Sequence, residues 1–257
     1  MVGVLGHTDS KFAADDGSAD PAAAAALAAF AAGTGSEHAA LTALAGVRLL
    51  VPVVAAEVPD GDPALRGRSA AGDSCRLPGG EKSSEMSIPT LIGQDGRAAV
   101  PAFTSLAAMH AWQPGARPVP ADAARVWQAA AADAAAVVLD IAGPVPLAID
   151  GARLAALAAG EPVPPPERDP DVHAVISAVA AGHPQIAAVR LAGGGPDGEG
   201  PDLTVELTLA PGAPPGTAEQ LGTEALRRLG TRLRRGLAVT VAPPRPAPDR
   251  RPPGCIP

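Results

Sequence analysis

The sequence has no tyrosine, three phenylalanines and two tryptophans in 257 residues, so aromatic platforms are nearly missing. Base stacking on aromatic rings, the usual means of holding single-stranded nucleic acid, is therefore poorly supplied. Only two of its twenty basic residues are lysine, Lys11 and Lys82, and the net charge is −7. An acidic chain is repelled by phosphate backbones and anionic membranes, so nucleic acid is not the expected ligand. No apolar run approaches the ~20 residues that a membrane-spanning helix needs, and no membrane association is expected. The start, MVGVLGHTDSKF, lacks the cationic and apolar regions of a secretory leader. The two cysteines, Cys75 and Cys255, lie in Pro/Gly/Arg-rich stretches and make no disulfide framework. Cys255 does not meet the four-residue prenylation pattern. A soluble protein of the cytoplasm is expected.

Chemistry-bearing motifs are also scarce. The five histidines, His7, His38, His110, His173 and His183, include no i, i+4 pair and stand beside no cysteine pair. The ligand spacing of a structural zinc site is therefore absent. Asp15-Asp16-Gly17 lacks the alternating oxygen ligands and distal glutamate of a calcium loop. There is no Gly-Lys dipeptide and hence no phosphate-binding GxxxxGK[ST] loop. The Gly-rich stretch 193–200 carries Asp197 and Glu199, which repel phosphate, and it leads to a strand rather than a helix. No GxSxG elbow is present. Arg76 could lower the pKa of neighbouring Cys75, but that thiol sits in a long Pro/Gly/charged stretch that cannot hold a nucleophile in place. No metal, cofactor or catalytic residue is expected.

What the chain does have is Ala, Gly and Pro in abundance, with arginine in place of lysine. That is the codon bias of a GC-rich bacterial genome, and carries no functional signal. The core must come from Leu, Val and Ile, because Ala buries little area per residue. Read along the chain, 1–20 is an Asp-rich arm expected to be disordered. Pro21 to about Ala32 reads as a helix with proline at its first position, and Glu37 to about Ala45 as another after Ser36. Val47–Ala55 is β-branched and reads as a buried strand, which Pro52 places at an edge or bulge. Residues 59–81 form a long Pro/Gly/charged loop.

The segment Glu85–Phe103 reads as a hairpin, Glu85–Gly93 and Arg97–Phe103, turning at Gln94-Asp95-Gly96 with glycine in the left-handed position. Counting from that turn sets Gly93 opposite Arg97 and Pro89 opposite Pro101. Neither proline donates a backbone hydrogen bond, so the ladder is expected to open there. Met86, Ile88, Thr90 and Ile92 would share the core face with Ala98, Val100 and Ala102. Leu91 and Phe103 would lie exposed on the other. A helix capped by Thr104 or Ser105 runs to about Trp112, then come an extended piece at 117–120, a helix 121–132, strands 136–141 and 147–149, and a helix 152–159.

Gly160–Asp169 reads as a Pro-rich linker, and Asp169 as a cap for a helix 170–181. Strands 186–191 and 203–209, an amphipathic helix Thr217–Arg235 and a strand 237–241 complete an α-β-β-α-β unit. The cluster Arg227, Arg228, Arg232, Arg234 and Arg235 lies off that helix's Leu stripe and reads as a solvated face near a helix C-terminus. Residues 243–257 are too poor in apolar groups to order themselves.

The stretch EMSIPTLIGQDGRAAVPAFTSLAAMHAW resembles the signature of the SseB family N-terminal domain in its high-GC bacterial form. FAADDGSADPAAAAALAAFAAG, LAGVRLLVPVV, ARPVP at 116–120 and VVLDIAGPV at 137–145 fit the same resemblance. It covers roughly residues 12–160, and the chain after 170 is more loosely similar to a family C-terminal region. The resemblance implies no catalytic motif.

The fold expected is α+β: a mixed-sheet N-terminal domain with a β-hairpin and flanking helices, and a small α-β-β-α-β C-terminal domain. The expected division is 1–20 arm, 21–160 SseB-like domain, 161–169 linker, 170–242 second domain, 243–257 tail. The function expected is that of a non-enzymatic adaptor or regulator that binds another protein through Pro89, Leu91, Pro101, Phe103 and Trp112. The alternative is an enzyme or small-ligand sensor with Glu85, Arg97, Arg117 and Asp140 around a pocket between the hairpin and the central strand.

Overall fold

In a computed structural model, the described residues are 10–57, 84–93, 96–133, 136–143, 146–194 and 200–242. The expected loop 59–81 with Cys75, the start of the arm and the tail 243–257 with Cys255 lie outside them. The chain divides into two units, Met1–Asp20 with Gly46–Asp150, and Pro21–Ala45 with Gly151–Pro257. Among the described residues there are seven α-helices and three sheets, an α+β fold.

The first unit holds β1 (Arg48–Glu57), β2 (Ser84–Ser87), β3 (Leu91–Ile92), β4 (Ala98–Ala102), β5 (Arg117–Asp122), β6 (Ala136–Leu139) and β7 (Leu147–Ile149). One sheet has the order β2-β1-β5 and the other β3-β4-β6-β7. They meet at Leu50, whose N–H donates to the Phe103 carbonyl at 2.8 Å and whose carbonyl accepts from the Phe103 N–H at 2.9 Å. Pro52 therefore stands in a central strand rather than at an edge. The geometry tolerates this because Leu50 spends both of its backbone groups on Phe103. Leu50↔Pro120 is thus a non-hydrogen-bonded pair, and two residues on Pro52↔Pro118 is another, so no ladder donor is lost. Ser105 caps the helix Leu106–Trp112, accepting from Ala108 N at 3.1 Å. A second helix, Ala123–Ala132, follows β5.

The hairpin is shorter than its sequence pattern implies. Its turn register holds: Gly93 N donates to Arg97 O at 2.8 Å, Leu91 faces Ala99, and Gly96 has φ +78°. Pairing stops at Leu91, as the opposed prolines at 89 and 101 require, and Ser84–Ser87 turns away to pair with β1 instead. The two faces are not as expected. Ile92 is 69 % exposed, whereas Phe103 is fully buried. β4 is an interior strand between β3 and β6, and residues on both of its faces, Ala99 and Pro101 on one and Val100 and Ala102 on the other, are buried, so a one-face alternation does not apply.

In the second unit, Pro21–Ala31 and Glu37–Leu44 are helices, and Ser36 caps the latter by accepting from Ala39 N at 3.1 Å. Then come helix Gly151–Ala159, helix Pro170–Ala181, β8 (Ile186–Gly193), β9 (Leu203–Leu209), helix Thr217–Leu229 and β10 (Leu237–Ala242). The expected α-β-β-α-β order is present, with β9 central, antiparallel to β8 and parallel to β10. Val172, Ile176 and Val179 pack with Leu203, Val205, Leu207, Leu221, Ala225 and Leu229. The last helix ends at Gly230, φ +57°, rather than running to Arg235.

Two sequence boundaries differ here. Pro21–Ala45 counts with the second unit and not with the 46–150 region: Glu37 accepts from Arg153 NH1 at 2.5 Å and pairs with Arg232 at 3.3 Å. The 161–169 segment is not a free linker. Val163 and Asp169 are buried, Pro166–Arg168 forms a 3-10 turn, and Asp169 pairs with Arg232 while capping Asp171 N at 2.8 Å. Of the arm, 10–20 is likewise held in place, in the site described next.

Candidate functional site

The pocket in the first unit is lined by Phe12, Asp15, Asp16, Gly17, Leu50, Leu106, Pro118 and Pro120, with a volume of about 160 Å³. Its floor is the face of β1 and β5 that carries Leu50, Pro118 and Pro120, residues on one side of the sheet by strand alternation. Leu106, the first residue of its helix, forms one wall. The turn after Ser10–Phe12 forms the other.

Backbone and charge together fix that turn. Gly17 N donates to Asp15 Oδ1 at 2.9 Å, and Gly17 O accepts from Leu106 N at 2.8 Å. Gly17 has φ +79°, and a Cβ there would lie 2.9 Å from that of Leu106, so only glycine fits. Arg48 clamps the turn to β1. Its Nε stands 2.6 Å from Asp15 Oδ2, its NH2 donates to Asp15 Oδ1 at 2.9 Å and to the Ser18 carbonyl, and its NH1 donates to Thr104 O at 2.9 Å. Thr104 in turn donates from N and Oγ1 to Asp140, at 2.9 and 2.7 Å. Burial pushes the Asp140 carboxyl above the usual range, and those two bonds only partly offset it. Asp140 also holds φ +47°, a backbone region that Asp tolerates better than most residues. Asp16, exposed, is held below the usual carboxylate range by its hydrogen bonds from Ser18.

The residues expected from sequence are placed differently. Phe103 and Pro101 are buried, and Phe103 packs with Leu50, Met109 and Ala116. Trp112 is half-buried and stacks on Phe103 with ring centroids 5.5 Å apart. Pro89 and Leu91 are half-buried. Phe103 is therefore not the exposed residue expected, because its ring belongs to the core. Of the alternative quartet, Arg97, Arg117 and Asp140 line no part of this pocket. Arg97 pairs with Asp150 at 2.7 Å, Asp140 serves Thr104, Arg117 is exposed opposite Val53, and Glu85 stands in β2 opposite Ala56. Among the described residues no group of three His, Cys, Asp or Glu is placed to hold a metal.

The arginine cluster is not a solvated face throughout. Arg227 and Arg228 pair with half-buried Glu224, whose pKa they lower to about 2. Arg232 pairs with Glu37 and Asp169, Arg235 with Asp202 at 2.8 Å, and Arg234 lies over the Phe30 ring.

Both sheets of the first unit, and with them Leu50, Leu106, Pro118 and Pro120 of the pocket, fall within the region that matches the SseB protein N-terminal domain, residues 24–156, whereas the turn with Phe12, Asp15, Asp16 and Gly17 precedes it. The match covers just over half of the chain, and the protein belongs to the SseB family. No curated protein and no solved structure matches it.

Proposed function

We propose that this SseB-family protein is a non-enzymatic adaptor or regulator of the cytoplasm that holds another protein by an apolar side chain inserted in the Phe12–Pro120 pocket. The observation that carries this is the pocket's size and lining. At about 160 Å³ it falls below the roughly 300–1,000 Å³ of small-molecule sites and suits one side chain. Its lining is mostly apolar, and of the two carboxylates in its turn wall Asp15 is already taken by Arg48 while Asp16 faces water.

The edge of β5 adds to the argument. Pro118 and Pro120 remove two N–H groups from that edge, which disfavours addition of a partner strand and leaves side-chain insertion as the mode of contact. A photo-crosslinking residue placed at Pro118 should capture one dominant protein in the native cell, and the same residue at Arg190 on β8 should not. Absence of any 118-specific product removes the reading. A metabolite that raises the melting temperature, with the effect abolished by Arg97→Ala or Arg117→Ala, would instead establish the sensor alternative.

A further inference from the structure

We propose that the pocket selects a partner segment in which the inserted apolar side chain has a lysine or arginine, arginine for preference, within two residues of it. This rests on the reading above, that the pocket docks a protein. Two independent features of the site point the same way.

The first is charge. Three carboxylates and two cations stand around the pocket. Asp15 is taken by Arg48, and Asp122, on the same face of β5 as Pro118 and Pro120, is taken by Lys11 at 2.6 Å. Asp16 remains. It lines the pocket, is exposed, accepts from Ser18 N at 2.8 Å, and has no ion pair among the described residues. The local balance is one uncompensated negative charge, of the same sign as the −7 of the whole chain.

The second is hydrogen bonding. Because Leu50 bonds Phe103 and not Pro120, the carbonyls of Pro120 and, by alternation, Pro118 point away from β1. Neither proline has an N–H, and neither carbonyl accepts a hydrogen bond among the described residues. One lip of the pocket is thus made only of acceptors. A guanidinium or ammonium is made only of donors, and the guanidinium has five in a fixed fork. An acidic or amide-rich segment would face carbonyl against carbonyl and carboxylate against carboxylate.

The test uses the full chain, labelled with nitrogen-15 and titrated with three five-residue peptides. One is acetyl-Ala-Arg-Leu-Arg-Ala-amide. The second has Glu for each Arg, and the third has Ala for Leu. The arginine peptide should shift the amides of Gly17, Ser18 and Leu106; the glutamate peptide should bind more weakly by roughly three- to fivefold, the range of an exposed ion pair, and the alanine peptide more weakly by roughly tenfold or more, because it leaves the pocket unfilled. Asp16→Asn keeps the acceptor for Ser18 N and removes the charge, so it should lower affinity for the two arginine-bearing peptides and not for the glutamate peptide, and added salt should do the same. If the arginine and glutamate peptides bind alike at the pocket and Asp16→Asn changes nothing, the charge selection is overturned while protein docking stands. If no peptide shifts these amides, the docking reading falls together with it.

Discussion

Asp140 is a single residue on which three constraints converge: a left-handed backbone, two hydrogen bonds to Thr104, and burial of its carboxyl. Its role is to tie the end of β6 to the chain just after β4, where Arg48 also reaches Thr104 O and thereby the pocket turn. Because the folded pKa lies above the ordinary 3.8, the fold binds this proton more tightly than the unfolded chain does. The stability contributed by that proton is complete below pH 3.8 and is lost as pH rises through the folded pKa. Asn keeps the shape, the acceptor for Thr104 N and the tolerance of positive φ, offers its NH2 to the Thr104 hydroxyl, which can turn to accept, and does not titrate. Asp140→Asn should therefore gain stability relative to the native protein between pH 4 and pH 7 in paired thermal melts. A difference that stays constant over that interval would show that burial of the charge costs nothing. Asp140→Ala, losing two hydrogen bonds and the backbone tolerance, should cost about 2–3 kcal/mol at pH 4 and less at pH 7, because alanine does not titrate either.

At the scale of elements, the sequence was most legible where a local rule acts alone. Ser36, Ser105 and Asp169 cap as their residue type dictates, Gly96 takes the left-handed turn, and the β9 alternation of Leu203, Val205 and Leu207 is the core face. It was illegible where elements from distant segments share one structure. The pocket draws on 12–17, 50, 106 and 118–120, none of them particular on its own, and Asp15-Asp16-Gly17 is visible as a pattern only once Leu106 is known to lie against it. Ser84–Ser87 is equally strand-like for two partners, and it pairs with β1 because the opposed Pro89 and Pro101 end the ladder with β4 at Leu91. The arginines show the same limit. Charge and spacing treat Arg227 and Arg232 alike, whereas one lies in water beside Glu224 and the other bridges Glu37 and Asp169. Burial pushes the Glu37 carboxyl up, against the pull of Arg153 and Arg232, so the clamp is an expensive one to half-dismantle. Glu37→Ala, which removes the carboxylate shared by two guanidiniums, should lower stability by about 3 kcal/mol. Arg227→Ala should leave the denaturation midpoint within error. Equal effects from the two would mean that Glu37 is solvated.

For the molecule as a whole, the family match and the compact units do not share boundaries. The match runs from 24 to 156, while the units exchange chain at 20, 45 and 150. The helix Glu37–Leu44 and all but the first three residues of the helix Pro21–Ala31 thus fall inside the matched region but belong to the unit completed by 151–242. Their attachment is specific: Glu37 meets Arg153 and Arg232, and the Phe30 ring lies 5.5 Å beneath the Arg234 guanidinium. Ala-rich helices carry little apolar area of their own, so these contacts and the burial of Phe30 must supply much of what fixes them. A fragment of residues 151–242 lacks that helix pair, and it should melt at lower temperature than the second unit does in the intact chain. A synthetic peptide of residues 21–45 added in trans should bind it one to one and raise its melting temperature with peptide concentration, as any ligand of the folded state must. The same peptide carrying Glu37→Ala should raise it less, because Arg153 would be left buried without its carboxylate. If neither peptide moves the transition, the first two helices are not part of the second unit. If both act equally, the attachment rests on Phe30 and packing rather than on the buried ion pairs.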